Sequence, residues 1–186
     1  MRPFTSFEQK NLKFLVNHNV KFTQVEITPT GLGKGILDST APMRAYFLEE
    51  GVHDYSEQLQ GQEFKQMRNA IILTADSQCI TQASFYRPNT KKGAPRMWIY
   101  KLGSYTEGND IHVLFYFADT LYSINITRID IEKCYNSVII TPLKEVLMEI
   151  NQIGNSVSEE LIGRFRSVSG QWFESEVLAD TGIGRT

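Results

Sequence analysis

The sequence predicts a mainly β domain with flanking helices, its short and mostly antiparallel strands curled into an open barrel. Three observations predict it. Six runs of strand-like composition, at 20–27, 65–75, 79–87, 96–102, 111–118 and 121–127, are short and punctuated by turn-forming residues. Helical periodicity is confined to the two ends of that stretch and to one internal piece. At 186 residues with a 41% hydrophobic fraction, the chain can build one core plus an appendage. Short turn-punctuated strands are the pattern of an antiparallel sheet curling towards closure.

A short helix starts at Thr5 or Ser6, where Thr5 with Glu8, or Ser6 with Gln9, can form a capping box. Phe7, Leu12, Phe14 and Leu15 supply its buried side as far as Asn17. The strand at 20–27 then runs into 28–35, where three glycines in five residues predict a loop that breaks regular structure and lets the backbone approach a partner. Ser39 or Thr40 caps a second helix with Pro42 in its first turn, Met43, Tyr46 and Phe47 on its apolar side, and Gly51 at its end. Residues 53–62 are polar and predict a surface loop. The strands at 65–75 and 79–87 meet at Asp76 and Ser77. Those at 111–118 and 121–127 form a hairpin near Asp119 and Thr120, and 137–140 predicts one more short strand.

After Thr141 and Pro142, a cap and first-turn signal, Leu143, Val146, Leu147, Ile150 and Ile153 follow the helical period up to Gly154. A further helix is expected from Ser158, with Leu161, Ile162 and Phe165 apolar, and a last helical piece at 172–178. Residues 1–154 therefore read as the barrel domain and 155–186 as a helical extension and linker. The final residues, 179–186, have no core pattern and look cut off rather than finished.

The net charge of −2 argues against a general nucleic-acid coat, yet it hides an asymmetry. Residues 1–106 carry 13 Lys and Arg against 9 Asp and Glu, a net of +4; residues 107–186 carry 6 against 12, a net of −6. One polyanion-binding face, or chance clustering on a solvated surface, gives such a split. Cys79 and Cys134 lie in apolar contexts without a Cys or His at ligand spacing, which predicts buried free thiols in a reducing compartment. There is no signal-peptide pattern and no apolar run of membrane-spanning length, so a cytosolic protein without a membrane partner is expected.

The candidate binding stretch is 84–102. No Asp or Glu occurs from Ser77 to Thr106, whereas Arg87, Lys91, Lys92, Arg96 and Lys101 all do. Arg87 and Arg96 stand where strands leave and re-enter the sheet, and a guanidinium held there can present its fork to guanine O6 and N7. Asn89 can pair with adenine and Thr90 can donate to a phosphate. Lys91 and Lys92 suit phosphates, which position a protein without reading sequence. The 28–35 loop is the candidate second arm, with Thr30, Gly31 and Gly33 giving close approach and Lys34 a contact. Its glycine spacing is not that of a phosphate-binding nucleotide loop. The alternative for 84–102 is a solvated surface hairpin loop, and for 28–35 a plain flexible turn. An acidic protein partner is a further alternative for the cationic arm.

An enzyme site has weaker support. Asp54, Glu63 and Lys65 have the carboxylate-plus-Lys layout of metal-dependent nucleases, a pattern that also arises by chance. His18, His53 and His112 are scattered, and His112 sits in a strand, where a satisfied structural histidine is usual. No catalytic or metal-ligating residue is assigned.

Tyr86-Arg-Pro-Asn-Thr-Lys-Lys92, Arg96-Met-Trp-Ile-Tyr100, Ile111-His-Val-Leu-Phe-Tyr116 and Leu121-Tyr-Ser-Ile-Asn-Ile-Thr-Arg128 resemble the N-terminal effector domain of the EcoRII restriction endonuclease family over roughly residues 5–150. Thr181-Gly-Ile-Gly-Arg-Thr186 resembles the opening of the catalytic domain of MvaI- and BcnI-type endonucleases. The resemblance implies a DNA-binding pseudobarrel from a prokaryotic cytoplasm. It would be a monomer that grips double-stranded CC(A/T)GG in the major groove between an N-arm at 28–35 and a C-arm at 87–96. It implies a non-catalytic domain that needs no cofactor, belonging to a type II restriction endonuclease whose Mg²⁺-dependent chemistry lies in a following domain. Arg87, Lys91 or Lys92, and Arg96 match the family arm best. A family His near Lys34 and a family Glu near 93–95 have no counterpart here.

Overall fold

The computed structural model describes residues 1–156. Helix α1 (Ser6–Asn17) starts at a capping box: the Thr5 hydroxyl accepts from the Glu8 amide, and the Glu8 carboxylate accepts from the Thr5 amide. Leu12 and Leu15 are fully buried, but Phe7, expected to join them, is exposed. Glu8 takes the inward place instead, because Arg2 meets its carboxylate with two donors (2.8 and 2.5 Å) and Thr127 with a third (2.6 Å). Burial pushes the Glu8 carboxyl up, but these hydrogen bonds prevail and hold it below its ordinary value.

Strand β1 (Thr23–Glu26) leads into helix α2 (Pro29–Lys34), strand β2 (Leu37–Asp38) and helix α3 (Ala41–Glu49), which is capped by the Thr40 hydroxyl. Then come β3 (Gln66–Leu73), β4 (Gln78–Tyr86), β5 (Arg96–Ile99), β6 (Ile111–Phe117), β7 (Thr120–Asn125), α4 (Ile131–Asn136) and α5 (Pro142–Ser156). The β6–β7 hairpin turns through Ala118 and Asp119, both at positive φ (50° and 58°), the two-residue turn whose twist matches its strands.

All seven strands join one sheet in the order β1-β6-β7-β3-β4-β5-β2. Every pairing is antiparallel except β3 with β7, which is parallel. The sheet curls into a half-barrel. Val25, Leu37, Ala70, Ile72, Ala83, Phe85, Met97, Ile99, Leu114 and Leu121, drawn from every strand, form one cluster with Met43, Tyr46 and Phe47 of α3. The period-two alternation sends Leu73, Ile111, Val113, Phe115 and Ile124 to the other face, where α1, α4 and α5 cover them. The fold is thus mainly β with flanking helices, as the sequence predicts.

Several elements differ from expectation. Residues 29–34 are helical despite their glycines, because Thr28 caps the turn (3.0 Å to the Gly31 amide) and Pro29 is preset for its start. Residues 53–62 are not a simple surface loop: His53, Tyr55 and Gln58 are buried, with His53 stacked on Phe85 and its Nε2 2.9 Å from Gln58 Oε1. The strand expected at 137–140 does not form. The seven strands pair without it, and Val138 is 95% exposed. Helix α4 had no sequence expectation; Asp130 caps it through the Lys133 amide. Helix α5 continues past Gly154, which is buried against Asn19 instead of ending the helix. Cys79 and Cys134 are free but half-buried. The helices expected from 158 and at 172–178 lie outside the described residues.

His112 is the buried histidine anticipated above. It is fully buried, with Nδ1 2.9 Å from Ser123 Oγ and Nε2 2.9 Å from Thr106 Oγ1. Burial lowers its pKa to about 4, although nearby Asp110 opposes the shift. The unfolded chain takes up this proton near the ordinary value of 6.5 and the folded chain only near 4, so between them the unfolded state holds more protons. Stability therefore falls as pH drops through that window. Urea unfolding near pH 7.5 and near pH 5 should differ by about 2 kcal/mol from this group. A His112→Gln variant, less stable throughout, should show a smaller difference; an unchanged difference would remove His112 as the cause.

Candidate nucleic-acid interface

The two edges of the sheet, β1 and β2, are consecutive in the chain, and residues 27–36 are the whole connection between them. Helix α2 therefore spans the open seam of the half-barrel. It ends at Gly35, whose φ of +64° suits glycine and whose Cα faces the Trp98 indole of β5. Gly31 is buried, and a Cβ there would come within 2.6 Å of the Ile36 carbonyl oxygen. Its role in this helix is close packing. Gly33 is exposed with open space around it.

The second arm joins β4 to β5 and is braced at its base. The Gly61 amide donates to the Arg87 carbonyl (2.7 Å), and Gln60 bridges Arg87 in parallel. The Arg87 side chain turns back across the arm, donating from Nε to the Gly93 carbonyl (3.0 Å) and from Nη1 to the Gln58 carbonyl (3.1 Å). Two of its five N–H donors are thus committed to holding the loop, and the open fork expected from the sequence keeps one donor on Nη1 and two on Nη2. At the tip Lys91, Lys92 and Gly93 are all left-handed, with φ of 51°, 56° and 69°. For the two lysines this costs roughly 1–2 kcal/mol each. The turn is closed by Gly93 N to Thr90 O (2.9 Å) and Ala94 N to Lys91 O (3.2 Å), and it leaves both lysines exposed. Strain retained where the surroundings enforce it is a pointer to function.

Both arms contribute to one cleft of about 340 Å³ at the seam. Thr30, Gly31 and Lys34 line it from the first arm, Lys91 and Arg96 from the second, with Glu26 and Asp38 on the walls. The Arg96 side chain is only 14% exposed, and its Nε is buried without a hydrogen-bond partner among the described residues. Buried donors are rarely left this way unless something else can meet them. Arg87 and Lys92 instead face a second hollow of about 440 Å³ on the outer side of the arm, together with Arg44, His53 and Asp54. Burial depresses the His53 pKa, which keeps that ring neutral near pH 7. Asn89 and Thr90 are exposed on the arm and, like Gly33, line neither hollow.

The residues of the nuclease alternative have separate employment. Asp54 Oδ1 accepts from the Ser56 amide (3.0 Å) and hydroxyl (2.6 Å), and Lys65 Nζ lies 5.2 Å from the centre of the Tyr86 ring. Glu63 is exposed on the short 3₁₀ turn Gln62–Phe64. Among the described residues no group of three or more His, Cys, Asp or Glu side chains could hold a metal ion, and no helix is long and apolar enough to cross a membrane. Sequence reasoning missed the brace at 58–61 and the wall residue Asp38. Gly61, at φ +126°, was the one local signal for the brace.

Comparison of the chain with protein-family models, curated proteins and solved structures finds no match. What the geometry defines is a class: a curled, mainly β domain whose open seam carries a cation-lined cleft between a short helical arm and a loop arm.

Arg87→Ala should loosen the arm without unfolding the barrel. Losing two charge-assisted hydrogen bonds from one side chain should destabilise the turn by about 1–3 kcal/mol. The check is amide hydrogen exchange: Gly93 and Ala94 should exchange faster while β3 and β4 amides keep their protection.

Proposed function

We propose that this domain binds double-stranded DNA sequence-specifically, with its two arms in the major groove. The observation that carries the proposal is that cations from two segments far apart in sequence converge on a single cleft, at the place where the sheet is open. The duplex lies across this cleft with a groove edge turned towards it. Lys34 and Lys91 are placed to neutralise phosphates and so set register. Arg96, held on a strand with an unpartnered donor, is the residue that reads a guanine edge. Lys92 and the remaining donors of Arg87 face the second hollow, where a backbone phosphate would pass. Asn89 and Thr90 are free to contact DNA from the exposed arm, and Gly33 allows backbone approach.

The domain is non-catalytic in this proposal, binds as a monomer and needs no cofactor. It serves as the effector or recognition domain of a type II restriction endonuclease with CC(A/T)GG as target, the resemblance described above being the ground for both. Mg²⁺-dependent cleavage belongs to another part of such an enzyme.

Fluorescence anisotropy with a CC(A/T)GG duplex and a scrambled one tests the proposal. The target should bind more tightly. Lys34→Ala and Lys91→Ala should weaken binding to both duplexes alike and reduce the slope of log affinity against log salt by about 1 each. Arg96→Ala should cost about 1–3 kcal/mol on the target and little on the scrambled duplex. Equal affinity of the unmodified protein for the two duplexes would overturn the proposal.

A further inference from the structure

We infer that Asp38 and Arg96 act as a pair that reads one G·C base pair, Asp38 accepting from the cytosine 4-amino group while Arg96 donates to guanine O6 and N7. The inference rests on the DNA-binding reading above and adds to it a second base-reading residue and the base that residue reads.

Asp38 and Arg96 are directly opposite each other in the β2–β5 pairing, and both line the cleft. Their closest approach, Asp38 Oδ1 to Arg96 Nε, is 3.9 Å, too long for a hydrogen bond. The Asp38 side chain is 85% exposed and makes no hydrogen bond among the described residues; the Arg96 Nε is buried and also lacks one. Two complementary charged groups thus stand side by side with unused hydrogen-bonding capacity. The other carboxylate on the wall, Glu26, is already occupied, accepting from the Arg2 amide at 2.9 Å.

A carboxylate on a DNA-facing wall is repelled by phosphates and loses water on binding, so it weakens association unless a donor meets it. The major groove offers two exocyclic amino donors. Adenine sets its amino group beside the N7 acceptor of the same ring, which opposes a carboxylate. Cytosine presents its amino group alone, with the guanine O6 and N7 acceptors across the pair. An anion beside a guanidinium fork is complementary to that donor–acceptor–acceptor order. Both residues sit on paired strands, Arg96 where the second arm re-enters the sheet, so their spacing is set before DNA arrives.

The test measures binding of the whole chain to a CC(A/T)GG duplex and to duplexes in which each cytosine in turn is replaced by 2-pyrimidinone, which still pairs with guanine but lacks the 4-amino group. The unmodified protein should lose about tenfold affinity at one cytosine position, the scale of a single base contact. Asp38→Ala should bind the natural and the amino-less duplex at that position equally. Arg96→Ala should lose affinity for the natural duplex. The inference is overturned if Asp38→Ala discriminates between the two duplexes as the unmodified protein does, which is the result expected if Asp38 only orients Arg96. It is also overturned if no cytosine position matters to the unmodified protein while the scrambled duplex is still rejected. Equal binding of target and scrambled duplexes is a different failure, that of the DNA-binding reading itself.

Discussion

The parallel pairing of β3 with β7 is the contact on which the rest of the molecule depends. It joins two antiparallel blocks, β3-β4-β5-β2 and β1-β6-β7, at a register that sets Ala70 opposite Leu121 and Leu73 opposite Ile124. Because side chains alternate along each strand, that register sends Ile72 towards α3 and Leu73 towards the outer helices. A one-residue slip would exchange the two cores. The fused sheet then has two edges that are neighbours in the chain, and the curl brings them to a seam that α2 must cross. The cleft is a consequence of this closure being incomplete.

The two arms are held by different means. The first is a capped helical turn whose geometry is local: Thr28 and Pro29 at its start and Gly35 at its end. The second is a strained loop whose shape is imposed from outside. Gly61, Gln60 and the Arg87 guanidinium hold it where three successive left-handed residues would otherwise relax. Side chains that stabilise the fold and side chains that face a partner are therefore interleaved residue by residue. Arg87 is mainly a brace, whereas Lys91 and Lys92, a few positions on, are exposed.

Much of the β framework was legible because its signals are local. Period-two alternation located the strands, and Thr5 with Glu8, Thr40, and Thr141 with Pro142 marked three helix starts. The misreadings have a shared cause. Three glycines at 31–35 argue for a loop only while the cap at Thr28 and the backbone packed against Gly31 are unknown. The residues at 53–62 look polar, yet His53 and Gln58 satisfy each other inside the protein. The three aliphatics at 138–140 read as a strand but have no strand partner in the sheet. Phe7 lost its inward place to Glu8 because Arg2, near the chain start, neutralises that carboxylate and Thr127, distant in sequence, donates a hydrogen bond to it.

By itself the sequence determined the fold class, the acid-free cationic stretch and the identity of most arm residues, since composition, alternation and capping act over a few neighbours. Only the tertiary structure decided which of those residues meet. It set Lys91 and Arg96 beside Thr30 and Lys34, folded Arg87 back across its own loop, and put Asp38 opposite Arg96. The physical reason is that strand order and register, and the side-chain hydrogen bonds that lock a loop, join groups tens of residues apart, and no local pattern encodes them.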